Sequence, residues 1–242
     1  MKKINVGILF GGKSAEHEVS LQSAKNVIDA IDKEKYTVTL IGIDKTGRWY
    51  LHDNAQFLLD CNNPQCIALP KKNKEVILVP GEELQQLRCV ADGSASGNLD
   101  VVFPVLHGSY GEDGTMQGLL KLANIPFVGA GVLGSAVGMD KDVAKRLLRD
   151  AGIPVAKFLV IQQWERDDLS YHDVSRQLGL PLFVKPANTG SSVGVSKVRN
   201  EEQFTKAITE AFEFDNKILI EEFIAGQEVE CAVLGNEKPI AS

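Results

Sequence analysis

The stretch Phe183–Val198, which reads Phe-Val-Lys-Pro-Ala-Asn-Thr-Gly-Ser-Ser-Val-Gly-Val-Ser-Lys-Val, decides the fold of the region around it. Apolar residues lead into Lys185, small residues follow as far as Gly190, and a strand-like pattern resumes at Val193. Two short β-prone runs around a glycine-containing loop indicate a β-hairpin. Because glycine lets a backbone approach closely, the loop can present several N–H groups and two hydroxyls to one anion. Lys185 at its base adds a cation.

Two known loop motifs also have to be compared with this stretch. Gly190-Ser191-Ser192-Val193-Gly194 matches the Gly-x-Ser-x-Gly pattern of serine hydrolases, which requires a strand, a strained turn and then a helix. Here an extended run continues to Val198 and a helical pattern begins only near Asn200, so this interpretation is disfavoured. The loop is not a Walker A loop, since no Gly-Lys-Ser/Thr follows its glycines. Taken alone, it fits an ordinary surface hairpin slightly better than an anion site.

Length and composition bound the class of protein. The chain has 242 residues, enough for one large domain or two modest ones, and its 44% apolar and 24% charged content is typical of soluble globular proteins. The net charge of -6 argues against a general nucleic-acid surface, because the chain has no basic excess. A local cationic site for a small anion remains compatible with this charge.

The sequence gives no indication of a membrane or secreted protein. No apolar run approaches the length of a bilayer span, and Ile4–Phe10 runs into Gly11-Gly12-Lys13 without a cleavage site, as a first strand would. We therefore expect a cytoplasmic protein. The cysteines are scattered and are predicted to be reduced thiols, not disulfides or zinc ligands: Cys61, Cys66, Cys89 and Cys231.

The N-terminal part of the chain has the pattern of a β-α-β unit. Ile4–Phe10 is suited to a buried parallel strand, a Gly-rich loop follows, and apolar residues from Leu21 recur at helical spacing before a second strand at Val38–Ile43. Ligands collect at the carboxyl ends of such strands, where Glu16 should lie. Glu16 fits a helix-capping carboxylate equally well from this segment alone.

A second unusual loop follows the predicted strand Asp100–Leu106. It runs from His107 to Gly118 and contains several glycines and two acids, so His107 is a better site candidate than an isolated histidine. The preceding residues, 46–98, indicate an irregular surface excursion with short strands. After the loop we predict a helix at Gln117–Ala123, a short strand at Pro126–Gly129, and a domain boundary in the small residues of Gly129–Gly138.

The remainder of the chain reads as an α+β unit with antiparallel strands. The chain reaches Ser242 within this predicted domain. Its predicted elements are a helix starting at Met139-Asp140-Lys141 and ending near Gly152, a strand at Val155–Ile161, a helix at Tyr171–Leu178, the Lys185 hairpin, a helix around Phe204–Phe212, and strands at Lys217–Glu222 and Cys231–Leu234.

Taken together, these motifs resemble the ATP-grasp superfamily, and within it the D-alanine–D-alanine ligases. The resemblance covers the whole chain, with the motifs in the family's order. It implies an α/β fold, with a Rossmann-like parallel-sheet domain at 1–130, a central ATP-grasp subdomain at 131–216, and an incomplete C-terminal ATP-grasp subdomain at 217–242. The motifs that carry it are Gly11–Ser20, His107–Gly118, Met139-Asp140-Lys141, Lys185-Pro186 with Gly190–Gly194, and Glu221-Glu222-Phe223 with Glu228.

The resemblance implies a reaction. In this family ATP phosphorylates the carboxylate of one D-alanine, and the amine of a second attacks the acyl phosphate, giving a dipeptide for peptidoglycan. The implied partners are D-alanine and ATP, without nucleic acid or membrane. The resemblance also implies a homodimer formed through the N-terminal domain.

Site residues follow from the same resemblance. Glu16 would hold the ammonium group of the first D-alanine, Ser191 would hydrogen-bond near Glu16, and His107 would lie on the substrate side. ATP would be held by phosphate-binding lysines Lys141 and Lys185, by the loop amides of Gly190, Ser191, Ser192 and Val193, by Glu221 at the adenine amino group, by the strand edge at Glu222, Phe223 and Ile224, and by Glu228 at the ribose.

One departure concerns the metal. The family's ligands for two Mg²⁺ or Mn²⁺ ions, its oxyanion-stabilising arginine and a tyrosine-bearing loop would all lie beyond Ser242. We therefore expect the chain alone to be inactive, since charge neutralisation by metal is central to this phosphoryl transfer. The alternatives are a D-alanine–D-lactate or D-serine ligase, another ATP-grasp carboxylate–amine ligase, and a non-catalytic nucleotide-binding fragment.

Overall fold

The computed structural model describes residues 2–53, 74–82 and 84–242. The predicted thiols Cys61 and Cys66 lie outside these ranges. Cys89 is a buried free thiol and Cys231 an exposed one, as predicted for both. Among the described helices, none combines the length and the apolar character needed to cross a membrane.

The first unit is built on a mixed sheet with a parallel centre. Its strands lie in the order β6-β5-β4-β3-β2-β1-β7, and β1 pairs in parallel with both β2 and β7. The predicted parallel sheet is therefore present, and Ile8, Leu9 and Phe10 of its central strand are fully buried. The elements are β1 (Ile4–Gly11), α1 (His17–Ala30), β2 (Tyr36–Ile43), β3 (Trp49–His52), β4 (Lys74–Leu78), β5 (Leu87–Cys89), β6 (Ala95–Gly97), β7 (Val101–Val105) and α2 (Thr115–Leu122).

The segment predicted to be an irregular excursion extends this sheet. Strands β3 to β6 add to β2 in successive antiparallel pairs, although none exceeds five residues. A strand predicted at Pro126–Gly129 is wrong, because Phe127 makes only an isolated parallel bridge with Val102. Short strands carry too few residues for their alternation to be recognised in the sequence.

The region predicted to be a domain boundary contains a helix. Residues of this region form α3 (Val132–Met139), and α4 (Lys141–Asp150) follows at once. Asp140 separates the two, and its carboxylate caps α4 by accepting from the backbone N–H groups of Asp142 (3.0 Å) and Val143 (3.1 Å). The larger apolar residues of α3 are spread around the helix among glycine, serine and alanine, so the sequence shows no apolar stripe there.

The second unit has the predicted antiparallel sheet. Its strand order is β10-β9-β11-β8, and β9 and β10 form the hairpin predicted around the glycine-rich loop. The strand predicted from Val155 begins at Phe158. The elements are β8 (Phe158–Gln162), a 3₁₀ helix (Gln163–Asp168), α5 (Tyr171–Leu178), β9 (Leu182–Pro186), β10 (Ser196–Val198), α6 (Glu201–Phe212) and β11 (Lys217–Glu222).

The two faces of this second sheet differ in chemistry. On one face Val184, Ile218 and Ile220 are fully buried in an apolar cluster with α5 and α6. Because side chains alternate along a strand, the register that places Leu219 opposite Lys185 puts Lys185 and Glu221 together on the other face. Beyond β11, the strand predicted at Cys231–Leu234 is shorter: β12 (Val233–Leu234) pairs only with β13 (Ile240–Ala241).

Candidate functional site

A cavity of about 600 Å³ lies on the polar face of the second sheet. The glycine-rich loop between β9 and β10 forms one wall, and the chain that follows β11 forms another. The residues that line it include most of those predicted to bind a nucleotide: Lys141, Lys185, Gly190, Ser191, Ser192, Glu221, Glu222, Ile224 and Glu228. The fold therefore gathers at one cavity residues that are up to 87 positions apart, the separation from Lys141 to Glu228.

A buried carboxylate between two lysines forms the floor of the cavity. Oε2 of Glu221 lies 2.5 Å from Nζ of Lys185, and Oε1 lies 2.8 Å from Nζ of Lys145. The Glu221 side chain is 8% exposed, against 23% for Lys185 and 15% for Lys145. The cluster carries one excess positive charge at a half-enclosed surface, which suits an anionic ligand.

Lys141 lies beside this cluster with no carboxylate partner at hydrogen-bond distance among the described residues. Its Nζ donates instead to the carbonyl oxygens of Thr189 (2.5 Å) and Ala187 (3.4 Å) at the base of the glycine-rich loop. Burial lowers the pKa of the Lys141 ammonium group, and the positive charge of Lys185 lowers it further. A phosphate oxygen placed here would offset both effects.

Ion pairs fix the start of α4, and hence Lys141, against β11. Nζ of Lys217 lies 2.6 Å from Asp140 and 3.3 Å from Asp142. Burial alone would lower the pKa of Lys217, but its hydrogen bonds to the two aspartates outweigh burial and raise the pKa. Since Lys145 pairs with Glu221 one turn further on, α4 is attached to β11 at two points.

The glycine-rich loop has an unusual backbone conformation. Ser191 (φ 47°) and Ser192 (φ 59°) both occupy the left-handed region, which costs free energy in residues other than glycine. Asp215 fastens the start of the loop, because its Oδ2 accepts from both the backbone N (2.8 Å) and Nδ2 (2.9 Å) of Asn188. Turns and the strand β10 follow the loop, not a helix, so its serines do not form a nucleophile elbow.

Glu16 joins the two units. It occupies the N-cap position of α1, but its side chain makes no capping bond there and instead receives a hydrogen bond from the Ser191 hydroxyl. The carboxylate lies between two glycines: a Cβ built on Gly190 would be 3.0 Å from Oε2, and one on Gly108 would be closer still. Larger residues at either glycine would displace the carboxylate.

His107 is oriented by α1. Its Nε2 lies 2.9 Å from the Ser23 hydroxyl, and its carbonyl oxygen accepts from the Ser14 hydroxyl at 2.7 Å. Ser14 in turn accepts from the backbone N–H of Glu16 (3.1 Å). The loops after β1 and β7 are therefore linked through Ser14, with Glu16 and His107 on either side of the link.

The predicted adenine edge is arranged only in part as expected. The carboxylate of Glu222 accepts a hydrogen bond from the backbone N–H of Lys157 (2.7 Å). The backbone N–H of Glu222 donates to the carbonyl oxygen of Lys157 (3.0 Å). Both groups of Glu222 are therefore already bonded to Lys157. Ile224 and Glu228 line the cavity. Phe223 lies under Nζ of Lys197, which is 3.8 Å from the ring centroid.

Lys145 and Lys197 were absent from the sequence prediction. Lys145 could have been found by its spacing, because a residue four positions after Lys141 lies on the same face of a helix. Lys197 could not, since its place depends on the hairpin register that sets it opposite Phe183. In the part of the chain that the structure describes, no group of three or more His, Cys, Asp and Glu side chains is placed to hold a metal ion.

Comparison with known proteins places this arrangement in a family. Residues 5–130 match the family model described as the D-Ala–D-Ala ligase N-terminus, and residues 147–242 match that of the D-Ala–D-Ala ligase C-terminus. A D-alanine–D-alanine ligase of Oceanobacillus iheyensis is 56% identical over all 242 residues. The chain spans 66% of the length of that relative.

Solved structures show the same relationship. The D-alanine–D-alanine ligase of Coxiella burnetii matches with a TM-score of 0.88 and 40% identity, over 99% of this chain and 69% of that one. VanG D-Ala:D-Ser ligase from Enterococcus faecalis matches with a TM-score of 0.86 and 37% identity, over 99% and 68%. The family models together account for most of the sequence, and the chain belongs to the D-alanine–D-alanine ligase family.

Proposed function

We propose that this chain supplies the nucleotide site and the first amino-acid site of an ATP-dependent ligase that joins two D-alanines through an acyl phosphate. The observation that carries the proposal is the bond from Ser191 to Glu16, which brings the glycine-rich loop over the cavity into contact with the carboxylate of the first unit. Phosphoryl transfer depends mainly on positioning and charge stabilisation, and this contact would bring the two reactants together.

Each polar group has a part in the proposal. Lys141 and Lys185 bind phosphate oxygens, and the backbone amides of Gly190–Val193 close over them. Glu221 accepts from the adenine amino group, the strand edge at Glu222, Phe223 and Ile224 borders the base, and Glu228 accepts from the ribose. Mg²⁺ or Mn²⁺ would neutralise phosphate charge when bound.

The first amino acid lies at the junction of the loops. Glu16 pairs with its ammonium group, Ser191 orders the carboxylate of Glu16, and His107 borders the substrate from the loop after β7. The carboxylate of the amino acid then points toward the phosphate-binding lysines. We propose a cytoplasmic location, and the division into units at 1–130, 131–216 and 217–242, on the same grounds of family membership.

Nucleotide binding provides the direct test. Isothermal titration of the chain with ATP should show one site, and Lys185→Met should weaken binding at least about tenfold, since it removes a charge-assisted contact. Lys206→Met is the matched control, because Lys206 pairs with Glu210 on the exposed face of α6, away from the cavity. Equal affinities in the two variants would contradict the proposed site.

The second amino acid requires a separate test. The resemblance to a D-Ala:D-Ser ligase at 37% identity makes D-serine the competing acceptor. In the longest natural form of this protein, the phosphate released from ATP with D-alanine alone should exceed the additional phosphate released when D-serine or D-lactate is also present. If phosphate release required D-serine, the second substrate would be D-serine and not D-alanine.

A further inference from the structure

Lys145 contacts the carboxylate of Glu221 but, unlike Lys141 and Lys185, does not line the nucleotide cavity. It lies on α4, its side chain is 15% exposed, and its Nζ is 5.1 Å from the centre of the Phe158 ring. The strand partner of Phe158 is Glu221. Lys145 therefore approaches Glu221 from above the sheet, held between the ring and the carboxylate.

Glu221 has two kinds of partner. Lys185 reaches Oε2 from the neighbouring strand of the same sheet, whereas Lys145 reaches Oε1 from a helix that packs over that sheet. The last torsion of a glutamate side chain is broad, so a carboxylate held through one oxygen can turn. Contacts to both oxygens from different directions remove that freedom. The floor of the cavity thus presents a hydrogen-bond acceptor in a fixed orientation.

A fixed carboxylate distinguishes bases by their donors. A carboxylate has acceptor atoms only, so it can bind an amino group and is repelled by a carbonyl oxygen at the same place. We propose that Lys145 is a positioning residue that holds the Glu221 carboxylate so that the cavity selects purine nucleotides with an amino group at position 6 over those with a carbonyl there. This inference rests on the proposed nucleotide site.

The two contacts of the Glu221 carboxylate predict what happens when Lys145 is removed. Glu221 would turn toward Lys185 and offer both oxygens to that ammonium group, leaving no acceptor aimed at the base. Affinity for the 6-amino base should fall, and affinity for the 6-oxo base should change less. The ratio of the two affinities isolates this effect, because any loss of positive charge near the phosphates weakens both nucleotides together.

ATP and inosine triphosphate test the ratio, since they differ at position 6 of the base. Wild-type protein should bind ATP at least about tenfold more tightly, the discrimination expected of one hydrogen bond to a charged group. Lys145→Met should reduce this to within about threefold, and Lys145→Gln should do the same, while Lys145→Arg should retain the preference. Arg149→Met is the matched control: Arg149 contacts the same Phe158 ring at 5.9 Å but lies on the exposed part of α4.

The outcomes separate this inference from the proposed function. An unchanged ratio in Lys145→Met and Lys145→Gln, with ATP still bound, would overturn the role of Lys145 and leave the nucleotide site in place. A fall in the ratio for Arg149→Met as large as for Lys145→Met would overturn it too, because the effect would then belong to packing on Phe158. Wild-type protein that bound neither nucleotide would overturn the proposed function and this inference together.

Discussion

The hydroxyl of Ser191 donates a hydrogen bond to the carboxylate of Glu16, across 175 positions of sequence. This contact joins a loop of the second sheet to the helix start that follows the first strand. Ser191 reaches it with a positive φ of 47°, a conformation that other contacts of the loop must stabilise. The loop is thus held over the cavity by a bond to the other unit.

Removal of the Ser191 hydroxyl should loosen the loop. In Ser191→Ala we expect the backbone amides of Val193 and Val195, which bond within the loop, to exchange hydrogen several-fold faster, because about 1 kcal/mol of stabilisation is lost. Hydrogen exchange with mass spectrometry measures this. Ser192→Ala is the control, since Ser192 has a similar φ of 59°. Equal acceleration in both variants would show that backbone strain, and not Glu16, governs the loop.

A Cβ added at Gly108 should lower the free energy of unfolding by more than the strain of the backbone conformation alone would. Gly108 has φ +70° and lies against Glu16, whereas Gly152 has φ +76° with nothing within 4 Å of an added Cβ. Gly152→Ala should lose about 1 kcal/mol in the free energy of unfolding, from strain. Gly108→Ala should lose at least about 1 kcal/mol more, from contact with the carboxylate. Urea unfolding curves that coincide for the two variants would refute the close contact.

Loss of Lys217 should destabilise the second unit. Lys217→Met leaves two carboxylates, Asp140 at 17% and Asp142 at 7% exposure, without this partner, and we expect a loss of about 2 kcal/mol in the free energy of unfolding. The exposed pair of Lys206 and Glu210 is the control, for which Lys206→Met should change stability by less than about 0.5 kcal/mol. Chemical denaturation measures both. A loss for Lys217→Met no larger than that of the control would contradict a stabilising role.

The first unit should lose stability in mild acid through His52. Burial lowers the pKa of His52 from 6.5 to about 4, so the folded state disfavours the charged form. The unfolded chain binds a proton near pH 6.5 while the folded chain does not, and stability falls as the pH drops from 6.5 toward 4. At pH 5 this contribution is about 2 kcal/mol.

Two variants test whether His52 causes this acid dependence. His52→Gln should reduce the difference in the free energy of unfolding between pH 7.5 and pH 5 by about 2 kcal/mol. His172→Gln, at an exposed position of α5, should leave the wild-type dependence intact. A steep acid dependence that persisted in His52→Gln would assign it to other groups.

The sequence allowed the central strands and the hairpin to be predicted because their signals are local. Buried runs such as Ile4–Phe10, and glycines between two apolar runs, depend on neighbours in the chain. The helix Val132–Met139 was missed because its apolar residues, mixed with glycine, serine and alanine, form no single stripe. Lys145 was missed although its spacing from Lys141 places both on one helix face, and its contact with Glu221 exists only once α4 packs over β11. The meeting of Glu16 with Ser191 entered through family resemblance, since no local pattern encodes a contact between distant segments.

The alternation along β11 separates two kinds of evolutionary constraint. Ile218 and Ile220 face the apolar cluster, while Lys217 and Glu221 face α4 and its charges. Apolar packing at Ile218 and Ile220 and ligand chemistry at Glu221 therefore act on opposite faces of one strand. Descendants of this gene can change the residue at position 221, which borders the cavity, without repacking Ile218 and Ile220. A family built on such a strand can diversify its recognition chemistry while inheriting its fold unchanged.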